Sequence, residues 1–230
     1  MIAPMARRIR ARSACLVAAL LALGGFCQPA NAACNVALLL AIDISGSVDD
    51  GEYRLQVDGT ADALADPEVI AALVEGHSAL AVVQWSSTEM QALVQPWQQM
   101  TSPADVAAFA DQARRTERAF GKAQTSVADA LQFSVDRFAE APDCRHRVID
   151  ISGDGVQNEG SSLPVARARA IAKGIIINAI AIEGIGLTIS EFYRRLVITK
   201  EGFVVTAHGH VEYPRAIRQK LLRELVIPTG

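Results

Sequence analysis

The sequence predicts an α/β domain built on a doubly wound, mostly parallel sheet with helices on both faces. Short apolar, β-branched runs alternate along the chain with segments whose apolar residues recur at helical spacing. Three of these runs, VALLLAI, RVIDIS and IIINAIAI, are apolar almost throughout, as expected of central strands covered on both sides. No repeat, low-complexity tract or Pro/Gly-rich linker divides the chain. We therefore expect one domain with a substantial core.

Six strands and seven helices are predicted in order along the chain. The strands are expected at residues 36–42, 79–85, 91–94, 147–152, 175–182 and 203–206. The helices are expected at residues 52–64, 67–74, 103–115, 126–138, 163–172, 189–196 and 211–225. Only the residues SSTEM separate the second strand from the third, whereas a parallel crossover requires a dozen or more residues. The third strand should therefore be an antiparallel edge.

The N-terminus has the pattern of a secretory signal. Four arginines within residues 7–12 precede an apolar stretch of about a dozen residues and then a small-x-small cleavage site that ends at Ala32. No later run reaches the roughly 18 apolar residues of a membrane-spanning helix. We expect a signal peptide over residues 1–32 and a single exported domain over 33–230, periplasmic or extracellular; an uncleaved anchor is the alternative.

The charge of the chain argues against two classes of partner. The formal net charge of −3 becomes −7 in the mature form, because the leader carries four arginines and no acid. An acidic exported domain without a basic cluster is a poor match for nucleic acid or for an anionic membrane. We predict neither nucleic-acid binding nor stable membrane insertion.

Three polar segments follow or precede apolar elements in a way that predicts a binding site. They are DISGS at residues 43–47, QTS at 124–126 and SGDG at 152–155. In an open doubly wound sheet, ligands bind beyond the carboxyl ends of the strands, where the strand order reverses. If the strands that end at Asp43 and Asp154 flank that point, the two carboxylates meet there, and Thr125 can reach the same edge.

The residue types in these segments select a hard cation. Two carboxylates and three hydroxyls, from Asp43, Ser45, Ser47, Thr125 and Asp154, form an all-oxygen donor set without histidine or thiolate. Such a set suits Mg²⁺ or Mn²⁺, with Ca²⁺ as a further option, and disfavours Zn²⁺ or Cu²⁺. A site with few charged direct ligands leaves one coordination position for an oxygen from outside.

The same residues resemble a known family. The D-x-S-x-S pattern of residues 43–47 is similar to the first motif of von Willebrand factor A domains, which are known for a metal-ion-dependent adhesion site. Thr125, ahead of an Ala-Leu pair, and Asp154-Gly155, after an apolar strand, resemble the second and third motifs. The chain departs from the family in having Ser-Gly-Asp-Gly where Thr-Asp-Gly is usual. SGSVD followed by EYRLQ looks like an uncharacterised bacterial secreted subgroup.

The resemblance covers nearly all of the mature chain and carries specific expectations. It implies a sheet in the order 3-2-1-4-5-6 with strand 3 antiparallel. It implies hydroxyl ligands from Ser45, Ser47 and Thr125, with Asp43 and Asp154 acting mostly through water or by switching to direct contact. It also implies a partner carboxylate that completes the metal shell.

The implied strand order also bears on the two cysteines of the mature chain. Cys34 lies nine residues before Asp43, and Cys144 lies ten before Asp154. Neighbouring parallel strands in register would bring the two thiols together at the opposite end of the sheet. We predict a Cys34–Cys144 disulfide, which an oxidising compartment permits.

Other polar and aromatic residues are interpreted as structural. Asp49 and Asp50 are expected to cap or begin a helix, where acids are favoured. His208 and His210 are too few for a closed transition-metal site, and we expect solvated loop residues. Trp85 and Trp97 are expected to pack in the core or at its edge.

Two functional hypotheses of different classes fit this pattern. The first is a non-enzymatic module that captures a protein with an exposed Asp or Glu carboxylate on bound Mg²⁺ or Mn²⁺, since Ser45 and Ser47 have no neighbouring base to activate them. The alternative is a metal-assisted hydrolase of the phosphoester type, in which Asp43 is nucleophile or base. A scaffold with a vestigial metal site is a third reading.

Overall fold

A six-stranded sheet in the order β3-β2-β1-β4-β5-β6 forms the centre of the molecule. The computed structural model describes residues 34–186 and 188–225, so the predicted signal peptide lies outside the described residues and stays a prediction. The strands are β1 Cys34–Asp43, β2 Ala79–Trp85, β3 Gln91–Gln99, β4 Cys144–Gly153, β5 Ile175–Glu183 and β6 Val204–His208. Every neighbouring pair is parallel except β2 and β3, which are antiparallel. The predicted order and the antiparallel edge are confirmed.

Helices cover both faces of the sheet. They are α1 Asp50–Leu64, α2 Pro67–Glu75, α3 Pro103–Arg114, α4 Val127–Arg137, α5 Leu163–Ala172, α6 Thr188–Phe192 and α7 Tyr213–Leu225. Alternate residues of each strand point to opposite faces, so β1 places Leu39 against α4 and α5 and places Leu38 and Leu40 against α1, α2, α3 and α7. This two-sided burial explains why the central strands are apolar throughout. Within the described residues, no helix is both long and apolar enough to cross a membrane.

The edge strand is longer than the sequence indicated. The strand predicted to end at residue 94 continues through Pro96 to Gln99. Its register against β2 slips twice, between Leu80 and Val82 and between Val82 and Val83. Proline has no N–H for a sheet ladder and is tolerated in edge strands and bulges, so the irregular pairing lets the strand pass through it.

The last two predicted helices also differ in detail. The segment predicted as one helix over residues 189–196 is α6 followed by a π-helical turn, Tyr193–Val197. The final helix begins at Tyr213, after a short 3₁₀ turn at His210–Glu212. Trp85 is fully buried, and Trp97 packs against the core, as expected.

β1 and β4 are fixed to each other at one end by a covalent bond. Cys34 is the register partner of Cys144, and the two form a disulfide. The same register pairs Ile42 with Ser152 at the opposite end, so the loops that follow β1 and β4 leave the sheet side by side. The predicted disulfide is confirmed, and the predicted site residues lie at the far end of the same two strands.

Candidate metal centre

The loop after β1 folds so that its hydroxyls and its carboxylate face one another. The backbone N–H of Ser45 donates to Asp43 Oδ1 at 2.7 Å, and the Ser45 and Ser47 hydroxyls are 3.2 Å apart. Gly46 donates its N–H to the Ala123 carbonyl at 2.7 Å. A β-carbon on Gly46 would lie 2.9 Å from that carbonyl oxygen, so only glycine permits this approach. The loop is thereby attached to the segment that carries Thr125.

Arg118 binds the backbone carbonyls of the same loop. The sequence did not predict this contact. One guanidinium nitrogen, Nη2, donates to the carbonyl oxygens of Ile44, Ser45 and Val48 at 2.8, 3.0 and 2.8 Å. Its side chain is 14% exposed, so these charge-assisted bonds are largely shielded from water. Arg118 lies far along the chain from the loop, and its role follows from tertiary structure alone.

The acid of the third segment reaches the first despite the extra glycine. The Ser47 hydroxyl donates to Asp154 Oδ1 at 2.6 Å. Gly153 is the last residue of β4 and fills the extra position. A β-carbon there would lie 2.4 Å from the Tyr193 hydroxyl and 2.9 Å from Asp43 Oδ2, so the glycine is required by its neighbours.

Thr125 lies at the same edge of the sheet. Two hydrogen bonds to Asn158 hold its backbone in place. The Thr125 N–H donates to Asn158 Oδ1 at 2.9 Å, and the Asn158 N–H donates to the Thr125 carbonyl oxygen at 3.0 Å. A β-carbon on Gly155 would be 3.7 Å from Thr125 Oγ1, so the threonine hydroxyl lies beside the Asp154-Gly155 turn. The structure therefore brings all three predicted segments together; the role of their five residues as metal ligands stays a prediction.

The electrostatics of this cluster favour a cation. Asp43 is completely buried, and its Oδ2 has no hydrogen-bond partner among the described residues. Burial, together with the nearby charge of Asp154, raises the pKa of Asp43 to about 7. A buried carboxylate beside a second one is costly unless a positive charge compensates both. Orphaned carboxylate oxygen and clustered hydroxyls are the donors that Mg²⁺ or Mn²⁺ prefers, so the residues fit such an ion.

A second cluster lies beside Asp154. One ligand atom each from Glu52, Asp154 and His210 lie within 4.8 Å of one another. Together with Glu183 they border an open pocket of about 170 Å³. Asp49 caps α1 and Asp50 begins it, as expected. The expectation of a solvated loop was wrong for His210, which is buried because it packs under the first turn of α1, but right for exposed His208.

Comparison with known proteins identifies a family and a fold. A family model described as "Protein of unknown function (DUF1194)" matches residues 33–229. No curated protein matches the chain.

Solved structures share the fold at low sequence identity. Proximal thread matrix protein 1 of the mussel byssus, with a zinc-occupied MIDAS motif, is 20% identical with a TM-score of 0.63 over 84% of this chain and 48% of that one. A von Willebrand factor type A protein from Catenulispora acidiphila is 19% identical, with a TM-score of 0.59 over 84% of this chain and 43% of that one. The pilus adhesin SpaC of Lactobacillus rhamnosus GG is 13% identical, with a TM-score of 0.59 over 83% of this chain and 30% of that one. This chain spans less than half the length of each.

Proposed function

We propose, for a chain that belongs to the DUF1194 family and has the von Willebrand factor A fold, that it is a divalent-metal-dependent protein-binding module. Ser45, Ser47 and Thr125 would offer hydroxyl ligands to Mg²⁺ or Mn²⁺, with Asp43 and Asp154 balancing its charge. The bound ion supplies a Lewis-acidic position for a carboxylate from a protein partner. The chain's own residues hold the ligand atoms in place and exclude water from one side.

The observation that carries this proposal is the connection between the first segment, residues 43–47, and the third, which contains Asp154. A continuous path runs from Asp43 through Ser45 and Ser47 to Asp154, with atoms 2.6–3.2 Å apart at each step. The innermost carboxylate of this path is sealed from water and lacks a partner for one oxygen. Such an arrangement is costly unless a proton or a bound cation neutralises it, which supports a cation site.

The surface around the site supports a protein as the partner. Three exposed large apolar residues are within two residues in sequence of residues that line the pocket bordered by Asp154, namely Val156, Ile185 and Val211. Exposed apolar side chains close to polar groups are a feature of protein interfaces. A partner that presents an Asp or Glu between apolar residues fits this surface.

The hydroxyl contacts favour binding over hydrolysis. Ser47 donates its proton to the carboxylate of Asp154, and the Ser45 hydroxyl contacts the Ser47 hydroxyl and the Asp43 carboxylate. None of these contacts supplies the stronger base that activates a serine nucleophile. A matrix protein and a pilus adhesin among the structural neighbours are consistent with a non-enzymatic role. We also propose export of residues 33–230 after cleavage near Ala32, to the periplasm or beyond.

The test is the thermal stability of the metal-stripped protein during titration with Mg²⁺ or Mn²⁺ to about 10 mM. At ten times the dissociation constant, a bound ion stabilises by roughly 1.4 kcal/mol, which raises Tm by a few degrees. The Ser45→Ala/Ser47→Ala variant should lose this rise. Ser78→Ala is the matched control, since Ser78 is buried at the opposite end of the sheet and its hydroxyl has no partner.

Partner capture is tested separately. With the ion bound, a peptide array should retain peptides with an internal Asp or Glu and lose them when that residue becomes Asn or Gln. No rise in Tm with either ion would contradict the proposal. Metal-dependent turnover of a generic phosphoester that disappears in Asp43→Asn would replace it with the hydrolase.

A further inference from the structure

The cluster of Glu52, Asp154 and His210 differs in chemistry from the all-oxygen centre beside it. It adds an imidazole to two carboxylates, and it shares only Asp154 with the five residues considered above. We propose that these three residues form a second cation site, which prefers Zn²⁺ or a similar transition metal over Mg²⁺. This goes beyond the proposed function and does not depend on it.

His210 is a buried histidine that directs one ring nitrogen at Glu52. Its side chain is 6% exposed, and Nδ1 lies 3.1 Å from Glu52 Oε1. Nδ1 is therefore the ring nitrogen that an ion beside Glu52 would bind, and the ring borders the open pocket.

Glu52 is positioned by the helix that it begins. Its Oε2 accepts the backbone N–H of Asp49 at 2.8 Å, while the Glu52 N–H donates to Asp49 Oδ1 at 2.8 Å. This capping box fixes the carboxylate on the first turn of α1. Oε1 remains directed at His210. The carboxylate thus has one oxygen committed to the helix and one to the cluster.

Asp154 and its neighbours define the rest of the site. Asp154 Oδ1 accepts from Ser47, which fixes the carboxylate at the boundary of the two centres. Glu183, which also borders the pocket, accepts the N–H groups of Ser190 and Ile189 at 2.5 and 3.3 Å and is committed to the start of α6. The available donors are therefore one imidazole and two carboxylates.

The spacing suits a small transition-metal ion. Zn²⁺ binds nitrogen and carboxylate oxygen at about 2.0–2.2 Å, so two tetrahedral ligands are about 3.4 Å apart. The Nδ1–Oε1 pair is already at 3.1 Å, and the other ligand atoms lie within 4.8 Å, so a side-chain movement of at most about 1.4 Å brings them to this spacing. Imidazole favours Zn²⁺ over Mg²⁺. Three protein ligands and an adjoining pocket leave a fourth position for water or an outside donor.

The test is calorimetric titration of metal-stripped protein with Zn²⁺ in the presence of 10 mM Mg²⁺, which occupies hard-cation sites. We expect one Zn²⁺ per chain, with affinity reduced at least tenfold in His210→Gln and in Glu52→Gln. Glutamine at position 52 preserves the capping box, so a loss there reports a ligand and not a damaged helix. His208→Ala is the matched control, because this exposed histidine lies two residues away.

The outcomes separate this site from the first one. Ser45→Ala, which leaves the contact between Ser47 and Asp154 in place, should lose the response to Mg²⁺ and keep Zn²⁺ binding. Co²⁺ in place of Zn²⁺ should give visible absorption bands that are absent in His210→Gln. Circular dichroism would check that this variant is folded. Unchanged Zn²⁺ affinity in His210→Gln, or an equal loss in His208→Ala, would overturn the proposal.

Discussion

Asp43 combines full burial, an oxygen without a partner and a pKa raised to about 7. At pH 8 its charge is therefore a cost to the metal-free fold, and the same charge is what attracts an ion. A raised acid pKa means that the folded state holds a proton that the unfolded state has released, so the stability contributed by this group falls between about pH 4 and pH 7. Bound metal reverses this by compensating the charge.

Replacing Asp43 with asparagine should separate stability from binding. Asparagine keeps the acceptor for Ser45 N–H and removes the charge. At pH 8 without metal we expect a gain of about 1–3 kcal/mol, the usual cost of burying an uncompensated polar group. The variant should show no rise in Tm with Mg²⁺. At pH 5, where wild-type Asp43 is protonated, the gain should shrink; an equal gain at both pH values would contradict the charge explanation.

Gly153 is the residue at which this chain departs from the usual motif, and its surroundings explain why no side chain is tolerated. We expect Gly153→Ala to destabilise the fold by about 1–3 kcal/mol through overpacking, because its β-carbon would meet the Tyr193 hydroxyl. Adding Tyr193→Phe removes that oxygen and should recover part of the loss. A double variant no more stable than Gly153→Ala alone, measured by urea unfolding, would exclude this contact as the cause.

At the scale of elements, α7 is attached to the sheet by a buried charged cluster. Lys220 of α7 lies 2.6 Å from Asp150 of β4 and also contacts Glu224, and all three side chains are buried. Asn178 of β5 donates to Glu224 at 2.8 Å. One cation faces two carboxylates, so burial and the charge of Asp150 raise the pKa of Glu224 to about 8. The cluster links the helix to the sheet, and protonation of Glu224 relieves the repulsion between its carboxyl group and that of Asp150.

This cluster should make stability depend on pH. Because the folded pKa of Glu224 is raised, its contribution is present at pH 5 and is lost as the pH rises towards 8. We expect Tm of the wild type to fall over this range, and the fall to be smaller in Glu224→Gln. Glu75→Gln, an exposed acid on α2, is the control. A parallel fall in all three proteins would assign the pH dependence to other groups.

The elements show what the sequence could and could not predict. The buried strands and most helix bounds follow from apolar runs and helical spacing, because two-sided burial leaves few alternatives. The predicted end of β3 was wrong. The strand continues past Pro96 with a shifted register, and this part of the sequence has no apolar run that would predict a strand. Arg118 and His210 were missed because their contacts with the loop after β1 and with Glu52 join distant parts of the chain. One signal was available for His210: it follows β6, so it lies beyond the carboxyl end of a strand, where ligands bind in such sheets.

At the scale of the whole molecule, the disulfide is the largest single constraint on the unfolded chain. Cys34 and Cys144 are 110 residues apart. In the chain-entropy model, closing such a loop stabilises by roughly 4–5 kcal/mol. We expect Cys34→Ser/Cys144→Ser to lower the free energy of unfolding by about this amount in urea denaturation. If a reductant fails to lower the stability of the wild type towards that of the variant, the bond does not contribute as expected.

The disulfide and the candidate metal centre occupy opposite ends of the same pair of strands. β1 and β4 each contain ten residues, so the bond lies about 30 Å from the site. If a partner bound as proposed pulled on the loop after β1 more than on β4, it would load the ladder between these parallel strands in shear. The covalent link at the base would then stop β1 from sliding out past β4, and tension would pass into the sheet as a whole. The disulfide would thus oppose sliding of β1 past β4 under force from a partner bound as proposed.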